Sequence, residues 1–512
     1  MMHGQEDEAP GGAPRAATGR GLALGLAVVL AVAGGIAFPA RAGFAPTGTQ
    51  AILSQATTRA SLRARLDSLA NADAAGDPIS AGEARYYQGM SFARAGVLDS
   101  AIAAYRSAVS LRNSREELLG LADVRLLREA PDDARAVLLE LTPALAEAGS
   151  ETVMSQVLVQ RRLAWAHYLA GHADTAAALF TATEDMPGLR LEWRYRMALA
   201  ALATGDARKA YGLLFPVAVA ARKQDPDVMQ QLEQAARQIG DPQAVAARVD
   251  AEVHQRDVRE QRLLESWGGR RVLFAGTDGF PLVGLAVPAR ESAGAARATG
   301  AVVLMAPSDT LAAYDSLVIA FRRHGIATIL VPARGTNWAV TPGLPLPDAW
   351  EGREEKLQHQ SARDVRRALS QLAAVTRLDT TRYVIVGVAT TSVSAAEAAR
   401  LDRRVRALLF VSPSASAVDR GPICADLGAA RVPAFFQIAL EEFDTSYDLT
   451  DLLYDAGNRR GSRVVEGTQA GRGVAQFRTD ATLLPRLVRW LDDALKAAPP
   501  ARATPPATRR KR

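Results

Sequence analysis

With 512 residues, 48% apolar and 23% charged, the chain has enough apolar material for roughly two to four separate cores, which excludes a disordered or low-complexity protein. The formal net charge is +6, but Arg502, Arg509, Arg510, Lys511 and Arg512 crowd into the last sixteen residues with no acid among them. The body is therefore near neutral, and the basic balance gives no nucleic-acid signal.

The chain opens with a polar, Pro/Gly-rich stretch over residues 1–20, followed by an uncharged apolar run from Gly21 to Phe38. Ala40-Arg41-Ala42 places small residues where an A-x-A cleavage site needs them, so residues 1–42 read as a secretory signal peptide. The run of 18 residues also reaches the lower limit for spanning a bilayer, which makes an uncleaved anchor and membrane tether over residues 21–38 the alternative. Either reading exports the body to a periplasmic or extracellular setting. The single cysteine, Cys424, excludes an intrachain disulfide and reads as a small core residue.

Residues 43–262 are predicted to be helical and repetitive. Gly96, Gly171 and Gly205 each precede an alanine by five residues, namely Ala101, Ala176 and Ala210, and Tyr105, Phe180 and Leu214 follow four residues later. From Gly171 to Gly205 is 34 residues. Asp132-Asp-Ala134 supplies a repeat between the first and second glycines, and Gln238-Ile-Gly240 a fifth, weaker one. Small residues let paired helices approach, while the large residue fills the groove beside the next pair. The clearest copy carries Gly89, Phe92, Gly96, Ala101, Tyr105 and Ala108, and in this it resembles a tetratricopeptide repeat. The resemblance implies a solenoid whose concave face holds a protein or peptide partner, or packs on the chain's own second half or another copy. His167 and His172, five apart around Gly171, lack metal-pair spacing, and His167 reads as a packing residue.

After Gly268-Gly269 the pattern changes to short β-rich runs alternating with helices, which predicts an α/β domain over residues 268–496 and a basic, Pro-rich disordered tail over 497–512. Eight runs fit a doubly wound, mostly parallel sheet opened by a hairpin at 271–288. Helices are predicted at 314–324, 362–375, 395–401, 446–455 and 482–496. The order and phase of these runs resemble an α/β-hydrolase of the dienelactone-hydrolase type, through Thr277-Asp-Gly-Phe-Pro, Phe321 to Gly335, Asp364 to Leu372, and Tyr383-Val-Ile-Val-Gly387. The fold class is thus an all-α tetratricopeptide-like solenoid followed by an α/β-hydrolase-like sheet.

That resemblance implies a G-x-S-x-G elbow, an acid, a histidine and an oxyanion hole. The elbow reads Gly387-Val388-Ala389-Thr390-Thr391, so its apex has no attacking oxygen. The loop after the third strand is Ala306-Pro307-Ser308-Asp309, where proline removes one N–H. The acid station holds Glu441, Glu442 and Asp444, with Glu442 the nearest match, and the histidine station holds Arg472, which stays protonated. No histidine follows His359. Ser392 and Ser394 lie just past the apex as rescue nucleophiles, and Ser412, Ser414 and Ser416 read as caps and loop hydrogen-bonders. The expectation is an exported, non-catalytic binding or scaffold protein with neither cofactor nor metal. The alternative is an active serine esterase with the nucleophile displaced to Ser392 or Ser394, which needs His324 or His359 brought to the site.

Overall fold

The structure is a computed structural model that describes residues 48–496 except 74–75, 113, 147–152, 186–190, 224, 291–296, 308, 335–351, 439–445 and 468–472. The predicted signal or anchor and the basic tail lie outside the described residues. Among the described residues no helix is long and apolar enough to cross a membrane. From Thr47 onward the chain forms one compact unit.

The first half is helical. It comprises α1 (Gly48–Gln55), α2 (Arg59–Asp73), α3 (Pro78–Arg94), α4 (Leu98–Arg112), α5 (Arg115–Leu127), α6 (Pro131–Ala146), α7 (Val153–Leu169), α8 (Ala173–Thr181), α9 (Leu191–Ala203), α10 (Ala207–Ala220), α11 (Pro226–Gln238) and α12 (Val245–Ser266). One turn recurs between paired helices. Gly96, Gly171, Gly205 and Gly240 all have φ between 76° and 84°. After each, the next N–H returns to a carbonyl five residues back: Val97 to Phe92, His172 to His167, Asp206 to Ala201 and Asp241 to Ala236. This is the Schellman closure, which glycine makes without steric cost. Glu129 makes the same turn at φ 58°, with Ala130 bonded to Arg125, and so completes the copy that lacks a glycine.

Between the turns, Ala101, Ala108, Ala176 and Ala210 are fully buried, Tyr105 and Phe180 nearly so, and Phe92 half-buried. The Tyr105 ring lies against both Gly89 and Gly120. A Cβ on either would stand 2.9 or 2.6 Å from that ring, so these glycines make the room that the tyrosine fills.

The second half is an eight-stranded sheet in the order β1-β2-β4-β3-β5-β6-β7-β8. The strands are β1 (Arg270–Ala275), β2 (Pro281–Val287), β3 (Ala298–Leu304), β4 (Ile326–Val331), β5 (Leu378–Val388), β6 (Val405–Val411), β7 (Ala434–Ile438) and β8 (Arg463–Glu466). Only the β1–β2 and β2–β4 pairings are antiparallel. The central strands are buried on both faces, as their largely apolar runs require. Helices α13 (Asp315–Arg323), α14 (Glu354–Val375), α15 (Ser392–Leu401), α16 (Ala417–Ala430), α17 (Ser446–Ala456), α18 (Gln476–Thr479) and α19 (Leu483–Lys496) lie between and after the strands. One core packs α13, α19 and the end of α12 on one face of the sheet, and a second packs α14 to α17 on the other. α16 has no counterpart in the sequence reading, because Gly421-Pro422 interrupts its pattern; Pro422 nonetheless sits inside the helix.

The helical half is fixed to both faces. Trp267, which follows α12, is buried, and its Nε1 donates to Asp315 Oδ1 at 2.7 Å. At the other end Leu53, Ala56, Leu62 and Leu66 pack on Val418 of α16.

Candidate functional site

β5 ends at Val388, Ala389–Thr391 make one 3₁₀ turn, and α15 begins at Ser392. Ala389 holds φ 49°, a left-handed conformation that costs an L-residue about 1–2 kcal/mol. A Cβ on Gly387 would approach Ser392 Cα to 2.8 Å, so only glycine lets strand and helix come this close. The Thr391 hydroxyl accepts from Val388 N–H at 2.8 Å and reaches the Leu304 carbonyl at 2.9 Å, which ties the turn to β3. The expected turn is therefore sharp and strained, with a methyl group at its apex.

The Ala306 N–H is taken by the Tyr314 hydroxyl at 3.1 Å, and that hydroxyl donates to Asp309 Oδ2 at 2.7 Å. Burial raises the Asp309 carboxyl above its ordinary value, against the lowering effect of the Tyr314 bond. The space beside Thr391 has a volume of about 30 Å³, room for one water. Glu441, Glu442, Asp444 and Arg472 lie outside the described residues.

The remaining sequence candidates separate cleanly. Ser412 Oγ accepts from Gly473 N–H, Ser414 N–H donates to the Ala389 carbonyl, and Ser416 Oγ donates to Asp419, so these three serve the backbone and an ion pair. His324 caps α13 and is exposed. His167 has a buried Nδ1 without a partner, and burial, then the charges of Arg135 and His172, lower its pKa. No group of metal-ligating side chains occurs among the described residues. Cys424 is buried, and burial pushes its thiol up to about 12.

Ser392 is fully buried and its Oγ has no hydrogen-bond partner. Ser394, also buried, donates to the Gln358 carbonyl at 3.1 Å across the seam between α14 and α15. The next residue, His359, places Nδ1 2.7 Å from the carboxylate of Glu397, which lies one turn beyond Ser394 on α15. A hydroxyl, an imidazole and a carboxylate thus line one seam, the hydroxyl bonded to the Gln358 backbone and the imidazole to Glu397, because i and i+3 share a helix face. Burial raises the Glu397 carboxyl, but the His359 bond and the charges of His359, Arg400 and Arg59 outweigh it and hold the group below its ordinary value. His359 opens on a cleft of about 640 Å³ lined by Glu355, Lys356, Arg363, Glu397 and Arg400. Its Nε2 faces Arg59 Nη1 at 3.4 Å.

The sequence reading missed Glu397, whose only signal is its spacing from Ser394 inside an Ala-rich run. It also missed Asp419, which has no local signal because its partners come from the other half of the chain. Asp419 is fully buried; its Oδ1 accepts from Arg59 at 2.8 Å and its Oδ2 from Arg94 at 2.9 Å.

No family model matches this chain, and no curated protein matches its sequence. Solved structures similar to the α/β half include the esterase domain of a Rhodothermus marinus protein, at 12% identity over 44% of this chain and 98% of that one, TM-score 0.34. A Pyrococcus horikoshii acylaminoacyl peptidase is similar at 11% identity over 46% of this chain and 43% of that one, TM-score 0.35. A Pyrococcus furiosus esterase is similar at 10% identity over 45% and 92%, TM-score 0.33. Because these are esterases and a peptidase, the expectation of a non-catalytic binding or scaffold protein is corrected: the hydrolase alternative fits them better.

Proposed function

We propose that the α/β half is a hydrolase of esters or amides whose nucleophile is displaced from the elbow apex to Ser394, with His359 as base and Glu397 as the carboxylate that orients it. The observation that supports this reading is the 2.7 Å contact between His359 Nδ1 and Glu397, beside Ser394 and at the wall of an open cleft. A carboxylate on Nδ1 fixes the tautomer whose Nε2 lone pair can take a proton, the lone pair that faces Arg59 Nη1 at rest. Turnover requires Ser394 to exchange its bond to the Gln358 carbonyl for one to that Nε2, and Arg59, which faces Nε2 at rest, to swing from the imidazole to the carbonyl oxygen on which negative charge develops. Ser392 is the weaker nucleophile, since no imidazole adjoins its enclosed hydroxyl. The helical half reads as a tetratricopeptide-type solenoid for a protein or peptide partner, and residues 1–42 as the segment that exports or tethers the whole.

The test is hydrolysis of a p-nitrophenyl ester by the purified full chain, with fluorophosphonate labelling to locate the serine. Ser394→Ala and His359→Gln should each lower turnover by about a hundredfold or more, with Ser392→Ala near wild type. Hydrolysis that survives both changes, or no hydrolysis at all, overturns the reading.

A further inference from the structure

The N-terminal ends of β6, β7 and β8 lie at the edge of the sheet opposite the elbow. A cavity of about 490 Å³ opens there, framed by the start of β6, the turn before β8 and the last turns of α19. Four arginines line it: Arg406, Arg460, Arg463 and Arg489. The one acid on its wall is Asp493. None of the four makes an ion pair or side-chain hydrogen bond among the described residues. Arg59, Arg63, Arg94, Arg222, Arg334 and Arg404, by contrast, are each engaged by a carboxylate.

The walls of the cavity are stiff. Trp490 Nε1 donates to the Gly461 carbonyl at 2.8 Å, which fixes α19 to the turn. Ser462 Oγ donates to the Asn458 carbonyl at 2.7 Å and accepts from Ala434 N–H at 3.0 Å, which fixes the turn to β7. Four arginines border one opening, Arg460, Arg463 and Arg489 exposed and Arg406 half-buried, and a multiply charged anion there is attracted by all four like charges. Their planar, forked donors match phosphate oxygens two at a time, which a lysine cluster does not. From Lys496 the sequence runs on into the acid-free stretch that ends Arg509-Arg510-Lys511-Arg512, so further positive charge is tethered to the same helix.

We infer that this cavity binds a phosphate group, taken from a small soluble phosphate compound or from an anionic lipid headgroup. The two sources share one chemistry, and the experiment separates them. In the first arm, titration calorimetry of the full chain with inorganic pyrophosphate should give saturable binding that weakens steeply as salt rises. In the second, vesicles containing phosphatidylglycerol, but not neutral phosphatidylcholine vesicles, should co-float with the protein. Arg463→Glu and Arg489→Glu are surface changes, and each should weaken binding about tenfold in whichever arm is positive. Arg463→Gln and Arg489→Gln should have smaller effects in the same direction. Arg486→Glu, on the same helix but off the cavity, should match the wild type. Binding in either arm with this pattern supports the site and identifies the source. No binding in both arms overturns it, as does binding that ignores the cavity arginines, since the basic tail alone then accounts for the attraction.

Discussion

Ala389 shows how a sharp strand-to-helix turn can hold a side chain in the left-handed region. Its φ of 49° and the close approach enforced at Gly387 make that turn, and a methyl group stands at its apex. Replacing Ala389 with serine returns an oxygen to the apex but no imidazole, because no histidine follows His359 and that one is held by Glu397. Ala389→Ser should therefore leave ester hydrolysis at the wild-type rate and add no fluorophosphonate label; a new label at residue 389 would show that a base reaches the elbow. Burial alone would raise the Glu397 carboxyl, and it is the His359 hydrogen bond, then the charges around it, that reverse the sign. A depressed carboxyl stabilises the fold above its ordinary value of 4.5 and ceases to do so as pH falls through the folded value. Glu397→Gln should accordingly cost stability at pH 7 and little at pH 3, as read by urea melts.

At the scale of the element, the repeated turn explains why helical pairs stack in register from α3 to α12. Glycine occupies four of the copies and Glu129 the fifth, where a side chain is carried at φ 58°. Glu129 is exposed, so no packing offsets the strain of about 1–2 kcal/mol, while glycine costs about 0.5–1 in chain entropy. Glu129→Gly should therefore stabilise by roughly 0.5–1 kcal/mol in chemical denaturation; a loss would mean that Glu129 makes a contact more valuable than its strain. On the other side of the same hairpins, Tyr105 fills the space left by Gly89 and Gly120. Tyr105→Ala should cost about 3–5 kcal/mol, since it empties a cavity between two backbones that cannot close on it.

At the scale of the molecule, Asp419 joins the halves. Arg59 of α2 and Arg94 of α3 converge on it from the helical side, and Ser416 and Gln358 complete its bonds from the α/β side. Burial pushes its carboxyl up, but the Arg94 and Arg59 charges win and hold it below 3.8. Removing the buried carboxylate leaves the part-buried Arg59 and Arg94 without their counter-charge, so Asp419→Ala should destabilise by about 3 kcal/mol, the low end for breaking a buried pair. By the same sign rule the contribution is complete above about pH 4 and is lost below that as Asp419 takes up a proton. Limited proteolysis at pH 7 and pH 3 measures this: Asp419→Ala should be cut between the halves at pH 7, and the wild type only in acid. Equal resistance of variant and wild type at pH 7 would place the join elsewhere, at Trp267 and Asp315.

The local parts of this architecture are legible along the chain because they rest on neighbours in sequence. The period of small residues set by Gly96, Gly171 and Gly205 marks the helical pairs, and the step from Val386 through Gly387 to an Ala-rich run marks the elbow, since turns and helix faces are made by residues a few positions apart. The hairpin at 271–288 and the alternation of strand and helix are legible for the same reason. What stays hidden depends on chain closure over long distances. Neither Arg59 nor Asp419 is unusual in its own segment, and the pair exists only because the helical half folds back on α16. His359 and Glu397 are likewise an ordinary histidine and glutamate on two helices until the sheet sets those helices side by side. The sequence by itself determined which residues could turn, pack and cap; the tertiary structure alone decided which charges would be buried together, because desolvation and Coulomb attraction depend on distance in space and not on order along the chain.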